Sequence, residues 1–223
     1  MMKKTPMAIA LSLALVGTAQ AADYTLTFAG AATCVQNACV DWQQIQQSYG
    51  DVAGIVDVSY IDVLNSGTSL LWWSTNYNDL VDVAFAGGGD GDGQSHARIE
   101  IKSLNGQAVT LNSMDFGAWF DTTRDTHIRV TAMGGGPDLF SYDGPIGGGA
   151  TTHNSFAPSV SSASGIWIDW YSTAYNVGID NVNFSIAGTA APVPEPETYA
   201  MMLAGLGLLG LAARRRKHKQ AAT

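Results

Sequence analysis

Apolar and polar residues alternate along most of the chain. Ile99 and Ile101 stand between Arg98, Glu100 and Lys102, and Val81, Val83 and Phe85 stand between Asp82 and Ala84, the period-two pattern of a sheet wet on one face. Runs of this kind predict strands over residues 24–29, 54–63, 69–73, 81–86, 97–103, 108–116, 126–133, 165–171 and 177–186. Between them lie Gly87-Gly88-Gly89, Gly134-Gly135-Gly136-Pro137 and Gly147-Gly148-Gly149, which read as turns and loops. Only Asp41 to Ser48, with Trp42 and Ile45 at helical spacing, predicts a short helix here. Successive strands without intervening helices, and with no internal repeat, predict an all-β fold. The expected form is a two-sheet antiparallel β-sandwich, a jelly roll in preference to an immunoglobulin-like topology.

The two ends break this pattern. Residues 1–21 hold Lys3-Lys4, an apolar stretch from Met7 to Val16 and then Ala19-Gln20-Ala21, the layout of a secretory signal peptide cleaved after Ala21. That stretch is about half the roughly 20 residues a membrane span needs. Residues 22–188 form the β-sandwich domain. Residues 189–197 are a small-residue linker with Val193, Pro194, Glu195 and Pro196, whose prolines keep it extended. Residues 198–223 combine a hydrophobic helix, Thr198 to Ala213, with a basic tail that opens on Arg214, Arg215 and Arg216. Such a helix reaches about 24 Å against about 30 Å of hydrocarbon, so it is a weak permanent anchor. The arginines act as a membrane stop and place the tail inside and the body outside.

Charge sharpens the picture. The chain carries a formal −8, yet between Ala22 and Pro194 only Arg98, Lys102, Arg124 and Arg129 oppose seventeen acids, a net −13. A body so acidic repels phosphate, which excludes nucleic acid as a partner. Charged residues make up 13% of the chain, where about 25% is usual, and glycine and small polar residues replace them, which disfavours a helical bundle.

Val193-Pro194-Glu195-Pro196, the Gly/Leu-rich run Leu203 to Gly210 and the terminal arginines, in that order, resemble the PEP-CTERM sorting signal. The resemblance implies an exosortase partner in a Gram-negative bacterium that makes extracellular polysaccharide. It also implies membrane association through the C-terminal helix before processing, and a final place at the cell envelope, its outer surface or the extracellular matrix. Residues 104–115 and 175–182 are similar to stretches of exported PEP-CTERM passengers, and the second is similar to the closing strand of galactose-binding-like jelly rolls. That resemblance implies carbohydrate binding and a structural Ca2+ ion, with Asp180 the position carried over. No opening-strand Glu ligand is identifiable.

The residues themselves offer little catalytic chemistry. There is no Gly-x-Ser-x-Gly elbow, His-Glu-x-x-His or phosphate loop, and Glu100 is the one Glu of the body, placed for cross-strand pairing beside Arg98 and Lys102. His96, His127 and His153 lie far apart and read as strand or loop residues, and Asp57 and Asp62 as polar strand positions. Cys34 and Cys39, the only cysteines, lack a nearby His or a second pair and predict a disulfide after export, worth about 2 kcal/mol. Asp90-Gly91-Asp92-Gly93-Gln94 begins like an EF-hand but has Ser95 in the sixth place and Ile101 in the twelfth, leaving a simpler Ca2+ loop through Asp90 and Asp92 or a solvated turn.

The aromatics carry more. If Ile166, Ile168 and Trp170 face the core, Trp167, Asp169 and Tyr171 face outward, with the rings about 13 Å apart around a carboxylate acceptor. Flat rings beside an acceptor suit a sugar chain, unless a loop or neighbouring strand covers them. Trp72 and Trp73 must likewise point to opposite faces, one of them beside Tyr77. The reading is an exported, non-catalytic protein, processed by exosortase and associated with extracellular polysaccharide. Its rivals are a carbohydrate-binding module with a defined glycan site and a polysaccharide-degrading enzyme, which would need two facing carboxylates.

Overall fold

The computed structural model describes residues 21–36, 38–65, 68–89, 93–149 and 151–188. The expected signal peptide, the sorting motif, the C-terminal helix with its arginines, and Asp90 and Asp92 lie outside these residues. The strands in order are β1 (Ala22–Leu26), β2 (Gln43–Gln44), β3 (Val56–Asp62), β4 (Leu71–Trp73), β5 (Val83–Phe85), β6 (Ser95–Ser103) and β7 (Val109–Ala118). They continue with β8 (Arg124–Ala132), β9 (Asp138–Ile146), β10 (Asn154–Phe156), β11 (Val160–Ser162), β12 (Ile166–Ser172) and β13 (Val177–Ile186). One sheet runs β3-β6-β12-β8-β9. The other runs β10-β7-β13-β5-β4-β2, with β1 also on β13 and β11 also on β7. Apart from β4–β5 and β8–β9, neighbours in space are distant in sequence, as in the expected jelly-roll sandwich, and every named strand pair is antiparallel.

Alternation builds the five-stranded sheet. Ala97, Ile99 and Ile101 of β6, Ile128 and Val130 of β8, and Ile166, Ile168 and Trp170 of β12 are fully buried, while their neighbours in sequence turn the other way. Trp170 reaches across the sandwich: its ring meets Phe116 edge-on at 5.7 Å, and its Nε1 donates to the Val177 carbonyl of β13 at 2.8 Å. In β7 and β13 the buried set changes parity, from Val109 and Leu111 to Met114 and Phe116, and from Val177 and Ile179 to Val182 and Phe184. Irregularities in their pairing between Asp180 and Phe184 absorb the slip, as β-bulges do.

The outer side of the eight-stranded sheet is not fully wet. Tyr77, Leu80, Val83 and Phe85 form a second buried cluster there, with Leu71, Trp73 and Trp119 against it. Two cross-strand glycines, Gly117 of β7 and Gly178 of β13, make room for it. A Cβ on Gly117 would stand 2.1 Å from the Tyr77 carbonyl oxygen, and one on Gly178 would stand 2.8 Å from the Val83 side chain.

This second cluster explains two departures from expectation. The helix expected over Asp41 to Ser48 is absent. Gln43–Gln44 pairs with β4 instead, because Ile45 enters the main core while Trp42 packs on the opposite side against Trp73 and Phe85. The alternation expected from Val81 fails as well. Asp82 takes φ 59°, Val81 is exposed, and Val83, Ala84 and Phe85 are all buried because both faces of β5 are covered. Cys34 and Cys39 form the expected disulfide, with Cα atoms 5.3 Å apart. Asp57 is exposed as expected of a polar strand position, whereas Asp62 is buried and accepts the N–H groups of Asn65 and Gly88.

Asp180 is buried at the pairing of β13 with β7, directly opposite Asp115. Burial pushes its carboxyl up to about 7, an Asn181 backbone N–H opposes this, and the charges of Asp115 and Asp82 add to it. The folded chain therefore holds this proton more tightly than the unfolded chain does, where the group titrates near 4. Its contribution to stability is complete below about pH 4 and is lost as pH rises through about 7, a few kcal/mol at about 1.4 kcal/mol per pKa unit.

Two outcomes follow from this architecture. Gly117→Ala should destabilise by about 1 to 3 kcal/mol, since the backbone at Tyr77 must move, and chemical denaturation reads it. An unchanged midpoint would mean that the Tyr77 segment does not rest on the sheet. In EDTA, the stability of Asp180→Asn relative to the parent should improve steadily between pH 4 and pH 8. A difference independent of pH would place an ordinary carboxylate at Asp180.

Candidate functional site

The outer face of the five-stranded sheet carries the stripe expected to bind glycan. On β12, Trp167 lies between Glu100 of β6 and Thr131 of β8, Asp169 between Arg98 and Arg129, and Tyr171 between His96 and His127. The three residues do share this face, but they are not equally accessible. Asp169 is buried, with Oδ1 2.7 Å from His96 Nε2 and 2.9 Å from Arg98 Nε. It is the centre of an ion-pair cluster and not the accessible acceptor expected between the rings.

Both rings are half-buried. The Arg98 guanidinium lies 4.2 Å from the Trp167 ring centroid, a cation–π contact. Tyr171 stacks on His127 with centroids 5.0 Å apart, and Arg129 stands 5.8 Å from it. The two arginines of this face are already partnered, Arg98 by Asp169, and Arg129 by Asp143 at 2.8 Å and Asp138 at 3.2 Å. Glu100 takes over as the acceptor beside a ring. It is half-buried, 3.9 Å from Arg98 and next to the Trp167 indole N–H, which is buried without a full hydrogen bond. Burial pushes the Glu100 carboxyl up, Asp169 and Asp57 add to this, and Arg98 opposes it.

A second concavity went unseen in the sequence. Trp42, Trp73, Tyr77, Phe85, Trp119 and Tyr175 line a shallow cavity of about 50 Å3 open to solvent, with Asn176 at its base. Trp42 meets Trp73 at 5.2 Å and 89°, and Trp73 meets Trp119 at 4.7 Å and 79°. The base is the β12–β13 loop, residues 173–176, tied down from several directions. Tyr175 N donates to Ser95 Oγ, Ala86 N to the Ala174 carbonyl, Trp119 N to the Asn176 carbonyl and Tyr77 Oη to the Tyr175 carbonyl. The one signal available beforehand was the adjacent pair Trp72 and Trp73. They do point apart, Trp72 into the main core and Trp73 to this pocket beside Tyr77.

The remaining candidates are structural or incomplete. His153 Nδ1 lies 2.9 Å from Asp79 Oδ1 and its Nε2 lies 3.1 Å from Ser155 Oγ, the order of a Ser-His-Asp relay. Asp115 Oδ2, however, stands 3.8 Å from the same Nε2, and Asp115 pairs directly with Ser155 across the strands. That puts a second carboxylate beside the imidazole. Around Asp180 the described residues offer Asp115 but no set of three or more His, Cys, Asp or Glu side chains arranged for a metal. Asp180 Oδ1 remains buried without a hydrogen-bond partner.

Comparison with known proteins adds the following. No curated protein matches the chain. The exo-β-1,3-galactanase of Phanerochaete chrysosporium, solved with β-1,3-galactotriose, is similar at TM-score 0.33 and 15% identity over 65% of this chain and 32% of its own. This chain thus spans about a third of the galactanase. The module CBM27-1 of Caldicellulosiruptor saccharolyticus, solved with mannohexaose, is similar at TM-score 0.31 and 14% identity over 73% of this chain and 96% of its own. The family 11 carbohydrate-binding module of Clostridium thermocellum gives 0.25 and 9% over 66% and 96%. At these scores none of them assigns a ligand here. Residues 192–217 match the PEP-CTERM protein-sorting motif, so the chain carries the mark of proteins exported to the cell envelope and anchored there or released from it.

Proposed function

We propose that this is an exported, non-catalytic protein, processed by exosortase, that associates with extracellular polysaccharide along the outer face of its five-stranded sheet. The observation that supports this reading is the row of Trp167 and Tyr171 on the central strand, set among the hydrogen-bonding side chains of β6 and β8. Sugar rings bring C–H faces to such indole and phenol rings, while their hydroxyls meet Glu100, His96 and His127. The glycan is neutral. Arg98 and Arg129, the cations beside the rings, are held by Asp169, Asp138 and Asp143, Lys102 near the end of β6 lies across from Asp57, and the body's net −13 repels a uronate.

Retention of the full-length protein by a panel of neutral polysaccharides tests this reading. Trp167→Ala should weaken retention about tenfold, the loss of about 1.4 kcal/mol of ring stacking. The inward set Ile166, Ile168 and Trp170 is untouched, so the variant stays folded. Saturable retention that Trp167→Ala and Tyr171→Ala leave unchanged would remove the sheet face from the reading, and hydrolysis of any of the polysaccharides would refute a non-catalytic role.

A further inference from the structure

We infer that the aromatic pocket formed by Trp42, Trp73, Trp119 and Tyr175 is a second carbohydrate site, separate from the sheet face, which takes one neutral pyranose ring. The inference rests on the polysaccharide reading for its class of ligand and on its own geometry for everything else.

The pocket is built at a conformational cost that packing alone does not require. Trp42 has φ 74°, a left-handed backbone that a bulky side chain rarely adopts, yet its ring remains 50% exposed. Strained residues held by their surroundings cluster at ligand clamps. Here the surroundings are specific. Trp42 N donates to the Trp72 carbonyl at 3.1 Å, Asp41 Oδ1 accepts from Ser74 N at 2.8 Å, and the Cys34–Cys39 disulfide closes the loop just before it. Asn76 and Asn78, on either side of Tyr77, and Asp121, two residues after Trp119, also take positive φ.

The polar atoms identify the ligand. The indoles of Trp42, Trp73 and Trp119 line the pocket with π faces, and their N–H groups make no hydrogen bond within the described residues. An indole N–H only donates. An organic cation would find the same π faces, with the charge of Asp41 favouring it at Tyr77 and that of Arg124 opposing it, so the indole donors, which a cation cannot use, are what favour a neutral sugar. A neutral sugar brings both complements, C–H faces for the rings and oxygens for the N–H groups. The cavity itself holds only about 50 Å3, against about 300 to 1,000 Å3 for the pockets of larger ligands, so a single ring rests on its aromatic faces and a chain does not enter it.

The test uses the full-length protein and the methyl glycosides of glucose, galactose and mannose at millimolar concentration, read by tryptophan fluorescence, beside the polysaccharide retention described above. At least one glycoside should bind saturably. Trp42→Ala should weaken it tenfold or more, Trp42→Phe should keep part of the affinity, and Trp167→Ala should leave it unchanged. Glycoside binding that Trp42→Ala does not alter would overturn the inference. So would the absence of glycoside binding while polysaccharide retention still depends on Trp167, an outcome that leaves the sheet-face reading intact. Self-association abolished by Trp42→Ala, or by Phe120→Ala, which removes an exposed ring 5.7 Å from that of Trp119, without a glycoside response, would also overturn it by assigning the pocket to a second copy of the chain. Failure of both sugar assays would remove both readings.

Discussion

The Trp170 indole occupies the point on which both candidate sites depend. It is the largest fully buried side chain of the molecule's described part, it comes from the central strand of the five-stranded sheet, and its N–H is satisfied only by crossing to Val177 in the opposite sheet. A buried indole N–H without a partner would cost on the order of 1 to 3 kcal/mol, so the hydrogen bond sets where β13 begins relative to β12. Fixing Trp170 inward then forces Trp167, Asp169 and Tyr171 outward, since successive strand side chains alternate. Fixing Val177 draws the connecting residues 173–176 into a tight turn, with the Asn176 and Val177 N–H groups both donating to the Thr173 carbonyl. That turn is the base of the aromatic pocket. One side chain thus specifies the sheet-face stripe through alternation and the pocket through loop closure.

Much of the fold was legible because one-sided burial leaves a period of two, and β3, β6, β8 and β12 follow it closely. The parity change in β7 and β13 is written in the sequence as well, in Val109 and Leu111 followed by Met114 and Phe116, but only the pairing of the two strands shows that bulges absorb it. β9 was missed although Phe140, Tyr142 and Ile146 turn inward between Ser141, Asp143 and Pro145, because Gly144 and Pro145 inside it read as a turn. Pro145 is tolerable there since β9 is the edge of its sheet. The short strands β2, β10 and β11 are held by their neighbours more than by their own residues.

The pocket was hidden for a different reason. Its rings come from five separated segments, and what gathers them is the Gly117–Gly178 pair, whose missing side chains let the Tyr77 segment lie against the sheet. In sequence, Gly117 and Gly178 look like weak points of two strands. Only the topology reveals them as the floor on which a second cluster is built. The same cluster turns Trp42 away from the helix its spacing with Ile45 imitates, since the two side chains serve opposite faces of one sheet. Asp169 shows the converse. Its outward direction was readable from alternation, whereas its burial depends on His96 and Arg98, which another strand supplies.

Hydrogen exchange at the amides of Asn176 and Val177 in Trp170→Phe tests this dependence most directly. Phenylalanine keeps an aromatic ring in the core and removes only the indole portion with the N–H that crosses the sandwich. The account predicts that these two amides exchange much faster than in the parent, while the amides of β6 and β8 that pair with β12 keep their order of protection. Equal protection of Asn176 and Val177 in the two proteins would contradict it, because the turn would then be closed by its own hydrogen bonds and not by Trp170.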